Sequence, residues 1–388
     1  SIFNNKLNQE IDSTDEPNLG GLSYLKTIGR TTWTNIKAGY PKPSKRALFA
    51  TAYDSIRGKL VLFGGSADSG EDETWEWDGI SWSKLDPVHK PTPRESPAMA
   101  FDSSRGRTVL FGGMGADNET WEWDGSDWTM MDSIDKPSVR FGNAMAYDSI
   151  RGRTVLFGGA YEGPCSNETW EWDGNNWKLI NPVGDIPTAR AFHSMVFDSE
   201  KGKVLMFGGG SMESMSDETW EWNGAEWALV ESVNKPEPRM VHSMIYDSVR
   251  NKVVLFGGAD ENEDIMFNDT WELNGSEWTK LEPSQSPPET MGHSMTYVSL
   301  QDRVVMIYGE GTSGYSETIW EWNSDKLMWS NITPNGTKPL SRSEHAMVYD
   351  KTNKKLLLFG GDGEGAVYSD TWEWNGINWN KLTEGTPG

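Results

Sequence analysis

Cysteine is nearly absent from this 388-residue sequence: Cys165 stands alone. That excludes an internal disulfide framework and any cysteine-rich metal centre. Positive charge is also scarce, with 35 Lys and Arg against 58 Asp and Glu and a formal net charge of −23. Such an acidic surface repels phosphate backbones and anionic lipid, so nucleic acid is not expected as a partner, whereas cationic partners are compatible. No apolar run approaches the roughly 20 residues that span a bilayer, so membrane insertion is not expected either. The sequence opens without Met and without a signal-like segment, so any export signal would already have been removed. Hydrophobic residues make up only 36% of the chain, a level at which disorder must be considered.

The aromatic residues settle that question. They make up 12% of the chain and include 21 Trp, and each Trp can remove a large apolar area from water. The chain is expected to fold around an unusually aromatic core.

Self-similarity dominates the sequence. "YDSIRGKLVLFGG", ending at Gly65, recurs as "FDSSRGRTVLFGG" to Gly113, "YDSIRGRTVLFGG" to Gly159 and "FDSEKGKVLMFGG" to Gly209. "YDSVRNKVVLFGG" to Gly258 and "YDKTNKKLLLFGG" to Gly361 follow the same pattern, and a degraded copy, "YVSLQDRVVMIYG", ends at Gly309. After each comes a polar loop and then "ETWEWDGISW" or a variant, with Trp75, Trp121, Trp170, Trp220, Trp271, Trp320 and Trp372 in register. Each unit reads as four short strands. The apolar run "TVLFGG" has the character of a strand buried on both faces, and "TWEW" alternates. Asp-Gly or Asn-Gly between strands three and four supplies the positive φ of a tight hairpin. Such a unit cannot bury both faces alone, but seven packed face to face around an axis can.

The "FGG" strand ends and the paired aromatics resemble the kelch repeat, whose period is about 50 residues. The resemblance covers roughly residues 45–383. It implies an all-β fold, a seven-bladed β-propeller of four-stranded antiparallel blades. Blades are expected near 45–86, 93–132, 139–181, 189–231, 238–282, 289–333 and 341–383, within a single domain over 21–388. Residues 1–20 read as a polar arm. Residues 21–40 read as an extra strand or hairpin, because "IGRTTW" duplicates a fourth strand that the last blade already owns. The hairpin could blunt the edge of blade seven, or the arm could pair with another copy of the chain.

Several residue sets invite function. Twenty tryptophans occupy fixed positions and read as packing between blades, not as a carbohydrate platform. The diglycines are not followed by a helix and read as crowded strand ends, not as a phosphate cradle. Arg46, Arg94, Arg140, Arg190, Arg239 and Arg342 open the first strands, with Thr290 the exception. Glu73, Glu119, Glu168, Glu218, Asp269, Glu317 and Asp370 precede the Thr of strand three. Both rings fall on the face that carries the strand 2–3 and strand 4–1 loops, and are expected to pair as charge-assisted struts. Three residues after each Arg position stand Phe49, Pro97, Asn143, His193, His242, His293 and His345. Seven-fold symmetry spreads the four histidines too far apart for one tetrahedral ion. Kelch repeats carry His here, where it can hydrogen-bond backbone, so a structural role or ligand contact is expected and neither metal nor cofactor.

The strand 2–3 loops differ most between repeats, as specificity-bearing segments do. Tyr161, Met212, Met215, Ile265, Met266, Phe267, Tyr315, Val367 and Tyr368 stand out as apolar residues in polar loops, ready either to meet a partner or to tuck onto their own blade. Some kelch-type propellers are copper-radical oxidases or sugar epimerases. Here Cys165 sits in the third loop and the sequence offers no matching constellation beyond the Arg ring, nor a nucleophile elbow or zinc-protease helix. The sequence therefore reads as a non-catalytic binding or assembly module for a protein, a glycan or copies of itself. The alternative is a small-molecule or sugar-acting enzyme using the Arg/His mouth of the central channel. Sequons at Asn118, Asn167, Asn268, Asn274, Asn331 and Asn335 favour an extracellular or cell-surface setting, although three are by-products of the loop-end pattern.

Overall fold

The computed structural model describes residues 43–383 apart from 45, 47, 66–71, 79–80, 162, 212–213, 262–263, 299–302, 308, 313, 317, 334–337, 344, 351–352, 364–365 and 377, and without the side chains of 298, 315 and 383. The expected N-terminal arm and extra hairpin therefore lie outside the described residues. The chain divides into Ser1–Ile36 and Lys37–Gly388, and the architecture below belongs to the second unit.

That unit is all-β, with seven sheets of four antiparallel strands, each sheet taken from consecutive sequence. Blade one runs Ala50–Asp54, Lys59–Phe63, Thr74–Trp77 and Trp82–Leu85. The others repeat this order over 98–131, 144–180, 194–229, 243–281, 294–331 and 346–383. Among the described residues there is no helix, and so none long and apolar enough to cross a membrane. Blades six and seven add short hairpins, Glu310–Gly311 with Gly314–Tyr315 and Asp362–Gly363 with Ala366–Val367.

Alternation along the second strand explains the radial arrangement. Leu60 and Leu62 face one neighbouring blade while Val61 and Phe63 face the other. Repeated round the ring, this yields seven interblade cores, including one where Leu357 and Phe359 of blade seven meet Leu60, Leu62, Trp75, Trp77 and Trp82 of blade one. All twenty tryptophans of the blades are buried. Each removes roughly 200 Å² from water, worth about 5 kcal/mol before chain entropy is subtracted. Fourth-strand rings meet the Phe of the preceding blade edge to face, Trp128 on Phe63 at 5.4 Å and Trp82 on Phe359 at 5.2 Å. Blade seven keeps its own fourth strand, Trp379–Thr383, so the described ring closes by contact between blades one and seven.

Candidate functional site

The face carrying the strand 2–3 and 4–1 loops is built on one backbone contact repeated at every seam. The second Gly of each pair donates its N–H to the carbonyl that opens the next blade, from Gly65 to Arg94 at 2.9 Å round to Gly361 and Arg46 at 3.1 Å. In six blades the residue before the donor is also Gly, with Tyr308 in that place in blade six, and those six glycines leave room for the same carbonyl. A Cβ at Gly112 or Gly158 would lie 2.4 Å from the carbonyl of Arg140 or Arg190, and both glycines have positive φ.

The six arginines lie on this contact and are almost wholly buried. Arg190 is typical. Its Nη1 donates to the Gly208 carbonyl at 3.1 Å, its Nε to the Thr188 carbonyl at 3.0 Å, and its Nη2 to Thr188 Oγ1 at 2.7 Å and Glu218 Oε2 at 2.6 Å. Trp220 Nε1 donates to the same carboxylate oxygen at 3.0 Å. Equivalent ion pairs join Arg46 to Glu73 at 2.7 Å, Arg94 to Glu119 at 3.5 Å and Arg140 to Glu168 at 2.6 Å. Arg239 to Asp269 and Arg342 to Asp370 are each at 2.6 Å. Burial disfavours the charge of Glu73, but hydrogen bonds from Lys84, Trp75 and Arg46 outweigh it and hold its carboxyl at about 2. Burial, only partly countered by Glu119, lowers Arg94 to about 10.

Blade six departs from the expected ring of acids. Glu317 lies outside the described residues, and the position two before Trp320, held by an acid in the other six blades, belongs to Thr318. Strand pairing of Trp320 with Met306 and Trp322 with Val304 fixes that register. The indole of Trp320 donates to Thr318 Oγ1 at 2.9 Å, as Trp220 does to Glu218. One inserted residue in "SETIW" moves the acid out of register, and the missing Arg is replaced by Thr290.

A second ring surrounds the axial mouth. Two residues after the Arg position, in the six blades where that residue is described, Leu48, Ser96, Gly142, Phe192, Val241 and Gly292 all have φ between 50° and 67°. For an aromatic or β-branched residue this conformation is strained, and such strain persists only where surrounding structure imposes it. Here the imposed contacts run from blade to blade: Phe192 N–H to the Gly142 carbonyl at 2.9 Å, Val241 N–H to Phe192 at 3.3 Å and Gly292 N–H to Val241 at 3.2 Å. Phe192 is left 45% exposed. Phe192, Met240, Val241 and Met291, with Gly292, Glu310 and Ser343, line a pocket of about 220 Å³.

Below this ring the four histidines are buried, not open at the mouth. Rings of His193, His242 and His293 stand edge-on to Phe157, Phe207 and Phe256 of the preceding blade, with centroids 5.5–5.6 Å apart. The expected backbone hydrogen bonds are not made by the His193 and His242 rings, which find no protein partner among the described residues. Burial pushes His193, His293 and His345 down to about 3 and His242 well below its ordinary value.

The apolar loop residues divide. Phe267 lies over the Arg239 guanidinium at 4.0 Å and Tyr368 over Arg342 at 4.1 Å, so these two cover their own blade's strut. Met215 and Met266 bridge back to Gly210 and Ala259, and Val367 lies half-buried in the blade-seven hairpin. Tyr161 and Ile265 are exposed. Met212 and the Tyr315 side chain lie outside the described residues. Half-buried Cys165 points its thiol at the Gly210 carbonyl, 3.6 Å away.

On the opposite face stands a network that sequence reasoning missed. Asp54 accepts from Arg57 Nε at 2.6 Å, Arg57 Nη1 donates to Glu76 at 2.6 Å, and Glu76 accepts from Trp123 of blade two at 2.7 Å. The same chain recurs through Asp102, Arg105, Glu122 and Trp172, and through Asp148, Arg151, Glu171 and Trp222. Its signal was the "D-S-x-R" of blades one, two, three and five.

Comparison with known proteins bears on the same repeats. Residues 220–385 match the family model described as the KLHDC2/KLHL20/DRC7 Kelch-repeats domain. A stretch of 138 residues is 32% identical to the flagellar outer arm dynein alpha chain of Chlamydomonas reinhardtii, covering 32% of this chain and 3% of that protein's length. With the matched blades and the unmatched ones built on one repeat, the chain is a kelch-repeat β-propeller.

Proposed function

We propose that this kelch propeller is a protein-interaction module that docks its partner on the face carrying the strand 2–3 and 4–1 loops. One contrast carries the reading. The seams beneath that face are held by the same backbone contact seven times, while the strand 2–3 loops above them vary from six to eleven residues and differ in sequence before their closing acid. A rigid scaffold under variable loops is the arrangement in which recognition is placed. Exposed Tyr161, Phe192 and Ile265 supply apolar surface there.

Glycan stacking wants exposed aromatic faces; the blade tryptophans are buried, and Tyr161 and Phe192, the exposed aromatics named above, belong to different blades. An enzyme at the Arg/His mouth needs open titratable groups, whereas these arginines are buried and paired with acids and these histidines are buried. The test is photocrosslinking with the full chain in extract of its own cells. With benzoylphenylalanine at Ile265, protein adducts are expected; at Ile56, exposed on the opposite face, they are not. Adducts at Ile56 alone would sink the reading.

A further inference from the structure

Charge on the two faces is sorted. Among the described residues, the seven strand 2–3 loops hold fourteen Asp and Glu and not one Lys, Arg or His. Among the described residues, the strand 1–2 turns of the other face hold thirteen Lys and Arg against one acid, with Arg57, Arg105 and Arg151 paired to acids of their own blades. Six loop acids are neutralised by the arginine struts, and Asp72 and Asp217 reach Lys90 and Lys235. Asp117, Asp260, Glu261, Asp264 and Glu310 add to a negative field on the loop face that steers cations towards it.

The pocket lined by residues of blades four to seven has one of these acids, Glu310, in its wall. Its apolar wall is Phe192, Met240, Val241 and Met291, its polar edge includes Glu310, and about 220 Å³ suffices for one leucine- or phenylalanine-sized side chain. The backbone of Phe192 and Val241 is fixed by the interblade hydrogen bonds that impose their positive φ, so the attachment points of the wall are set before anything binds. The loop acids do not converge as metal ligands would: no three of the described His, Cys, Asp or Glu gather round one point.

Building on the proposed docking face, we infer that the partner presents a segment in which one bulky apolar side chain is flanked by lysines or arginines. The apolar side chain enters the pocket, and the flanking cations lie among the loop acids.

Fluorescence anisotropy of the full chain tests this with three labelled ten-residue peptides. One carries a leucine between two pairs of lysines, the second has serine for leucine, and the third has glutamate for lysine. The lysine–leucine peptide is expected to bind roughly tenfold or more tightly than either counterpart, and to weaken as salt rises. Phe192→Gly accepts the same φ but lacks the ring, and Met291→Ser opens the wall from another blade. In either variant that remains folded by thermal unfolding, the leucine and serine peptides should bind alike. Equal binding of those two peptides to the unaltered chain, or a leucine preference that survives both substitutions, overturns the inference. If the lysine–leucine peptide fails while photocrosslinking at Ile265 succeeds, the charge-and-pocket chemistry is wrong and the docking face stands. If Ile265 captures nothing, the face itself is wrong.

Discussion

Blade six and blade four share a backbone and differ in how its seams are tied. Blade four has the full set: Arg190 against Glu218, and Thr219 Oγ1 accepting from Trp278 of the next blade at 2.7 Å. In blade six the Arg is Thr290, the acid position is Thr318, and the strand-opening Thr is Ile319. Arg and acid are replaced together, so no buried charge is stranded; stranding one is what makes half a buried pair costly. Ile319 is less neatly compensated, since the indole N–H of Trp379, which would meet the missing hydroxyl, has no partner among the described residues. The glycine tie survives at both of this blade's seams, Gly258 to Thr290 and Gly309 to Arg342, each at 2.9 Å. Backbone contact closes the ring, and side-chain struts reinforce it.

Arg190→Thr alone should break that equivalence most sharply, at about 3 kcal/mol in urea unfolding, because Glu218 loses its countercharge and the Gly208 carbonyl the guanidinium donor. Adding Glu218→Thr, which reproduces the pairing of blade six, should recover part of the loss. A double variant worse than the sum of its parts contradicts the compensation argument. Acid probes the histidines that cross blade six. His193 has a folded value of about 3 against an ordinary 6.5, so the unfolded chain takes up its proton first and stability falls as pH drops through that interval. Between roughly pH 6.5 and 4.5 His193→Asn, copying Asn143 of blade three, should remove about 2 kcal/mol of this pH dependence. An unchanged slope in the variant's unfolding curves would show that the ring is not buried as described.

Smaller effects come from moving single groups between blades. Thr219→Ile should cost about 1–2 kcal/mol by stranding the Trp278 indole, and Ile319→Thr should return about 1 kcal/mol by giving Trp379 an acceptor. Thermal unfolding reads both, and equal signs would refute the assignment. Phe192→Gly should be neutral or stabilising by about 0.5 kcal/mol, because glycine accepts φ of 58° without strain. A clear loss of stability would mean that the ring packs more than it is exposed.

Much of this was legible because it repeats. The diglycines, the buried second strand and six of the Arg–acid pairs could be read from residue type at fixed offsets. What repetition hides is any shift of phase: "SETIW" looks like the loop end of its siblings until strand pairing shows that Thr318 stands where their acid does. The mouth ring was illegible for a different reason. Leu48, Phe192 and Val241 are residue types that avoid positive φ, and only neighbouring blades impose it. For Phe267 and Tyr368 the sequence left partner contact and tucking onto their own blade both open, because their stacking partners Arg239 and Arg342 lie more than twenty residues away in sequence.

The most direct test of the docking face is hydrogen exchange on the full chain with and without the lysine–leucine peptide. Slowed exchange confined to residues 190–193, 239–242, 259–267 and 290–293 is the predicted result. Protection at the turns 55–58 and 149–152 instead would contradict it.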